Sequence, residues 1–376
     1  MAAEGHTYVL FMDVNKTILM ADPAGGKTVD DVVNDVIAEQ AWGRTVPGTE
    51  ADSAAFELAH PELVFERPTE TDGAELSYVD WVRAFHPEVA ATRAAAGHVA
   101  AKDVRRKHVK AFTRHGAPGA QFAATAQKLI DGIGEHLIVT SFLKALVDLE
   151  AKRAAAVVPF NIKLVFRTFG TDLPEIIPQF NAFCDGNDPR FPGVSLPAYK
   201  IDPATQVGSF HRHGAGLCVL GTQKRVISEA GHLSGEETSE PVSADRTMLA
   251  LDGTFLDALL ALMPGPVGSF ALRDDYSAWS AAKWHPSGGK FFPVVIEPAS
   301  AGITTAFFDD NINYADDASV DNIVCPVDAA SGDVLPVEPQ LRKTMIRVDP
   351  LSIVLDDDYY INLWARVYAR FGQDTA

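Results

Sequence analysis

Cysteine is scarce in this chain, with only Cys184, Cys218 and Cys325 among 376 residues. Three widely spaced thiols exclude a disulfide framework and a cysteine-rich zinc site, and they fit a reducing, cytoplasmic setting. Basic residues are outnumbered, 32 against 50 acidic ones, which leaves a formal net charge of −18. The summed field repels phosphate backbones and anionic lipid headgroups, so neither nucleic acid nor a membrane surface is an expected partner. No stretch approaches the roughly 20 apolar residues that cross a bilayer. The opening residues Met1 to His6 carry no basic segment, and Asp13 interrupts the apolar run that follows, so a secretion signal is not expected. Internal repeats and low-complexity tracts are lacking as well.

What is present is ordinary globular material, 47% hydrophobic and 22% charged, in a chain longer than one core usually spans. A core domain with a large insertion is the expectation. Thr7–Asp13 is a β-branched and aromatic run without alternation, as in a parallel strand buried on both faces. Val29, Val32, Val33, Val36 and Ile37 recur at helical spacing, and further helices are expected at 76–85, 99–114 and 119–152. Residues 21–154 therefore read as nearly all helical. A second strand, 160–168, restores α/β alternation, and strands at 268–273, 302–308 and 322–326 follow, with a closing helix at 357–371. The stretch 185–245, rich in Gly, Pro, Ser and His, reads as loops or a small hairpin insertion. This pattern predicts an α/β fold, a Rossmann-like doubly wound parallel sheet, formed by 1–20 and 155–376, with residues 21–154 as a largely α-helical inserted domain.

Ligands of such sheets bind beyond the carboxyl ends of the strands. Three expected strands end in polar residues there: Asp13, Thr168, and Asp309 with Asp310. If the strands adjoin, the carboxylates repel one another, and a hard cation such as Mg²⁺ relieves that cost. A hydroxyl and a lysine beside them complete a site for a dianionic phosphoryl group: nucleophile, metal, donor and ammonium.

In those residues the chain resembles the haloacid dehalogenase superfamily. Asp13-Val-Asn-Lys-Thr17 after its strand is similar to the first family motif, Leu164–Thr168 to the second, Lys290 after two glycines to the third, and Phe307-Phe-Asp-Asp310 to the fourth. The resemblance covers residues 1–20 and 155–345. It implies that Asp13 attacks phosphorus to give an aspartyl-phosphate, that Thr168 donates to a phosphoryl oxygen and that Lys290 neutralises it, with Lys283 as the competing lysine. It also implies that Asp13, the backbone carbonyl of Asn15, Asp309 and Asp310 hold Mg²⁺, and that the inserted domain is a cap that closes over the site and selects the substrate. Arg167 and Lys16 are further cations expected beside the substrate; Lys16 stands where many relatives have glycine, and it either tightens the loop or adds a charge.

The departure from the pattern is Asn15, where family phosphatases carry an acid/base aspartate. An amide has no proton to trade, and that assistance is typically worth 10²–10⁴-fold. The expectation is thus a Mg²⁺-dependent hydrolase of a small phosphorylated metabolite with attenuated or specialised turnover. A phosphotransferase and a catalytically silent binding or scaffold protein are the alternatives. Other signals are weaker: Gly26-Lys-Thr28 lacks the upstream glycine of a P-loop, His211 and His213 have no visible third zinc ligand, and the basic run Arg105–His108 reads either as a solvated helix face or as a patch that attracts an anionic substrate.

Overall fold

The computed structural model describes residues 5–21, 26–48, 54–68, 75–85, 96–158, 160–213, 217–222, 248–249, 254–297 and 301–372. The chain divides into two compact units, one of Met1–Leu19, Leu137–Val348 and Asp356–Ala376, the other of Met20–His136 and Asp349–Leu355. The strands in chain order are β1 (Thr7–Asp13), β2 (Trp42–Pro47), β3 (Ala54–Leu58), β4 (Leu76–Ser77) and β5 (Asn161–Thr168). Then follow β6 (Val207–His213), β7 (Leu217–Thr222), β8 (Met248–Leu249) and β9 (Val267–Arg273). The last are β10 (Lys290–Val294), β11 (Ile303–Asp309), β12 (Val324–Asp328) and β13 (Met345–Arg347).

The first unit is built on a sheet of order β13-β11-β1-β5-β9-β6-β7-β8. Neighbours from β13 through β6 run parallel, whereas β7 and β8 add antiparallel at one edge. This is an α/β fold with a six-stranded parallel core. The runs that read as unalternating are the buried ones, β5 from its second residue onward and β1 from Val9. Phe166 on one face meets Phe142 and Phe180 of the helices Thr140–Ala155 and Leu173–Cys184. On the opposite face Phe270 and Leu272 cluster with Phe255, Leu256 and Leu259 of the helix Phe255–Ala261.

From β1 the chain moves outward to β5 and β9 on one side, and later returns to lay β11 on the other side of β1. The strand order thus reverses at β1, which places a crevice at its carboxyl end. Register fixes what lines it: Met12 pairs with Phe308, Asp13 with Arg167, and Thr168 with Arg273. Asp13, Asp309 and Thr168 therefore emerge at nearly one level.

Several sequence expectations are corrected here. The fifth expected strand, β12, does not join the main sheet; it pairs in parallel with β10, a strand the sequence reading left out. Pro293 and Pro326 explain the separation, since proline has no N–H for a ladder bond and is excluded from central strands. The small sheet still covers the core, with Phe292 edge-on to Phe11 and Phe307. Within 185–245, β6 is a member of the main sheet and forms a hairpin with β7, while residues 223–245 lie outside the described residues.

The second unit is not nearly all helical. Besides the helices Val29–Gln40, Tyr78–Phe85, Ala96–Lys110 and Ala123–Ile133 it holds an antiparallel sheet of order β3-β2-β4. Phe56 from β3 packs edge-on to Tyr78 and Trp81, so the short strands complete the aromatic core that the helices alone leave open. The helix expected over 119–152 is broken at Gly134, whose φ of 56° is a conformation glycine adopts at little cost. Its second half, Thr140–Ala155, belongs to the first unit, where Phe142 meets Tyr360 and Trp364 of the closing helix Tyr359–Gly372. Among the described residues no helix is long and apolar enough to cross a membrane.

Candidate active site

Asp13 ends β1 and Asp309 ends β11, the strand beside it; Asp310 follows directly. All three are buried, and one carboxylate oxygen from each lies within 4.8 Å of the others. Lys290 enters from the first residue of β10, buried to 1% exposure, and its ammonium donates to Asp13 Oδ1 and, at 2.8 Å, to Asp309 Oδ2. Gly289 permits that approach: a Cβ there would stand 2.4 Å from the carbonyl oxygen of Ile323. Lys283 is exposed in the preceding turn, so the glycine-flanked lysine is the one in the site.

Thr17, the last residue of the segment Asp13-Val-Asn-Lys-Thr17, links the two strand ends. Its hydroxyl donates to Asp13 Oδ2 at 3.3 Å and accepts from the Asp310 backbone N–H at 3.2 Å. The Asn311 backbone N–H donates to Asp309 Oδ1 at 2.8 Å, and its side-chain amide to Asp310 Oδ1 at 2.9 Å. Lys16 stands between with φ 57°, a left-handed conformation that costs a non-glycine residue about 1–2 kcal/mol. Its backbone N–H donates to the Leu19 carbonyl at 2.8 Å within the loop that follows Asp13.

Burial drives the Asp13 carboxyl up to about 7, the Lys290 ammonium opposing this and the Asp309 carboxylate adding to it. Burial pulls Lys290 down, but the charges of Asp13, Asp309 and Asp274 outweigh it and hold the ammonium above its ordinary value. Three carboxylates against one ammonium are an uneven buried set, and an uncompensated buried charge is expensive. The donors are oxygens only, which matches a hard divalent cation better than a soft one. Asp13, Asp309 and Asp310 are thus the residues that could hold a metal.

The remaining expected residues form a second group. Asn15 Nδ2 and Thr168 Oγ1 both donate to Asp172 Oδ2, at 2.8 and 3.0 Å. Thr168 Oγ1 also accepts from the Gly170 backbone N–H at 2.8 Å, closing the turn after β5. Asp172 was missed by sequence reasoning; its place before Leu-Pro-Glu is that of an ordinary helix N-cap, which hides any other role. Arg167 is fully buried and turned elsewhere: its Nε donates to Asp274 Oδ2 and its Nη1 to the Phe291 carbonyl, both at 2.9 Å. Its guanidinium lies near the rings of Phe11 and Phe307, so in this structure it braces the sheet rather than facing a ligand. The side chains of His211 and His213, weighed as zinc ligands, lie outside the described residues.

A buried carboxylate at a strand end, an adjacent ammonium and two further carboxylates together can hold a divalent cation and present one oxygen as a nucleophile. No family model, curated protein or solved structure matches the chain.

Proposed function

We propose that this chain is a Mg²⁺-dependent hydrolase of the haloacid dehalogenase type, acting on a small phosphorylated metabolite through an aspartyl-phosphate on Asp13. The observation that carries the reading is the convergence of Asp13 with Asp309, Asp310 and Lys290 at the carboxyl ends of two adjoining parallel strands. Residues 277 to 297 positions distant from Asp13 meet it there, in the order and on the elements that the motif resemblance requires.

Asp13, Asp309 and Asp310 would hold the cation, which supplies charge neutralisation to the phosphoryl oxygens. Asp13 offers the attacking oxygen, held in place by Thr17. Lys290 keeps its proton and offsets negative charge beside the nucleophile. Thr168, at the end of the neighbouring strand, has its hydroxyl proton on Asp172 and would redirect it to a bound phosphoryl oxygen. Asn15 lacks a proton to exchange, which favours transfer of the phosphoryl group to an acceptor other than water as the second reading.

The test is incubation of the purified chain with Mg²⁺ and a panel of phosphate monoesters. Phosphate release or phosphoryl transfer that disappears in Asp13→Asn and on chelation supports the proposal. No turnover, together with no binding of Mg²⁺ or beryllofluoride, would sink it in favour of a silent binding module.

A further inference from the structure

A phosphatase built on Asp13 needs a group that protonates the leaving oxygen and later deprotonates water, and position 15 holds an amide. Asp172 lies against that amide. It occupies the N-cap position of the helix Leu173–Cys184, where aspartate ordinarily accepts a backbone N–H from the first turn, yet its side chain makes no capping bond. The carboxylate is turned instead toward Asn15 and Thr168 and accepts from both. It thereby forgoes a cap worth about 1 kcal/mol, and local rules broken in this way cluster at functional sites. The neighbouring residue leaves room for it: a Cβ on Gly170 would lie 2.3 Å from Asp172 Oδ2. Because Asp172 Oδ2 accepts here, the contact also fixes the Asn15 amide with its nitrogen toward Asp172. Asn15 Oδ1 is left buried with no hydrogen-bond partner, an acceptor for a water or hydroxyl that enters the site.

We propose that Asp172 is the proton carrier of the reaction, supplying from the second motif loop the carboxyl absent at position 15; the proposal rests on the phosphatase reading above. In the first half, an Asp13 oxygen bonds to phosphorus as the bond from phosphorus to the leaving oxygen breaks, and that oxygen takes a proton carried on Asp172 Oδ1, Oδ2 being the oxygen that accepts from Asn15 and Thr168. In the second half, water bonds to phosphorus as the bond to Asp13 breaks, and the Asp172 carboxylate takes a proton from the water. Inorganic phosphate departs, with the Asp13 carboxylate and protonated Asp172 restored.

The test compares wild type, Asp172→Asn and Gly170→Ala in Mg²⁺ with an alkyl phosphate and with 4-nitrophenyl phosphate, whose leaving group needs no proton. In Asp172→Asn, alkyl phosphate turnover should fall by about 10²–10⁴-fold. With the nitrophenyl ester the variant should release one nitrophenolate per chain and then stall, and intact mass after acid quench should show a phosphoryl group retained on Asp13. Gly170→Ala, which displaces the Asp172 carboxylate without removing it, should do the same and guards against a folding defect confined to the first variant. Wild-type turnover in both variants, or an equal loss with both esters and no trapped phosphoryl group, would overturn the assignment while leaving the phosphatase reading intact. A wild-type protein that takes no phosphoryl group from either ester ends both.

Discussion

The Tyr360 hydroxyl donates to the carbonyl oxygen of Thr17 at 2.8 Å, with both residues fully buried. The closing helix is thereby tied to the loop that carries Asp13, Thr17 being the residue that bonds both Asp13 and Asp310. Burial holds the Tyr360 phenol well above its ordinary pKa, so it stays a donor at any working pH. Tyr360→Phe leaves the Thr17 carbonyl without that bond in a dry environment, and the expected loss is about 1–3 kcal/mol in denaturant unfolding. A change within a few tenths of a kcal/mol would show that water takes the hydroxyl's place.

Arg167 and Asp274 form a buried ion pair whose side chains are 0% and 1% exposed, too little for solvent to relieve it. Arg167→Met strands the Asp274 carboxylate and should destabilise the fold by about 3–5 kcal/mol, and the double change Arg167→Met, Asp274→Leu should recover most of that. Chemical unfolding of the two variants checks this. A large rise in KM for a phosphate ester with little loss of stability would instead return Arg167 to the substrate.

Lys290 bridges Asp13 and Asp309 with a single positive charge. Lys290→Met should therefore lower stability by about 3–5 kcal/mol, part of it relieved where Asp13 takes up a proton. Mg²⁺ at about 100 times its Kd stabilises a protein by about 2.7 kcal/mol, and its effect on Tm should be larger in the variant than in wild type. If Mg²⁺ moves neither Tm, the carboxylate group does not bind it.

In the second unit the buried Glu75 carboxylate accepts from Arg44 at 2.9 Å and pairs with His60 at 2.8 Å. Burial raises its pKa, but the bonds and charges of His60 and Arg44 outweigh this and leave it below the usual 4.5. A folded-state pKa below the unfolded one contributes stability that is present above pH 4.5 and is lost as pH falls through the depressed folded value. The stability gap between wild type and Glu75→Gln should thus be open at pH 7 and narrow progressively below pH 4.5. A gap that stays constant with pH would contradict the ion pair.

Four strands of the main sheet were legible because buried parallel strands need continuous apolar runs, and β1, β5, β9 and β11 have them; β13 and the strands beyond β9 in the sheet order, β6 to β8, were not read as members of it. The ends of three of those strands also gave Asp13, Thr168 and Asp309 as candidates. The strands β2, β3 and β4 were not legible, being short, partly exposed and set among helical patterns. β10 escaped notice for a different reason: a proline interrupts it, and what makes it a strand is its pairing with β12.

Residue types at strand ends, and the missing proton at Asn15, are properties of the chain itself and need no coordinates. Which lysine enters the site, that Arg167 turns away to Asp274, and that Asp172 gives up its cap for Asn15 were decided only on folding. Periodicity reports what a segment buries, whereas the direction of a single buried polar side chain is set by partners brought from elsewhere in the chain, and no local pattern records them.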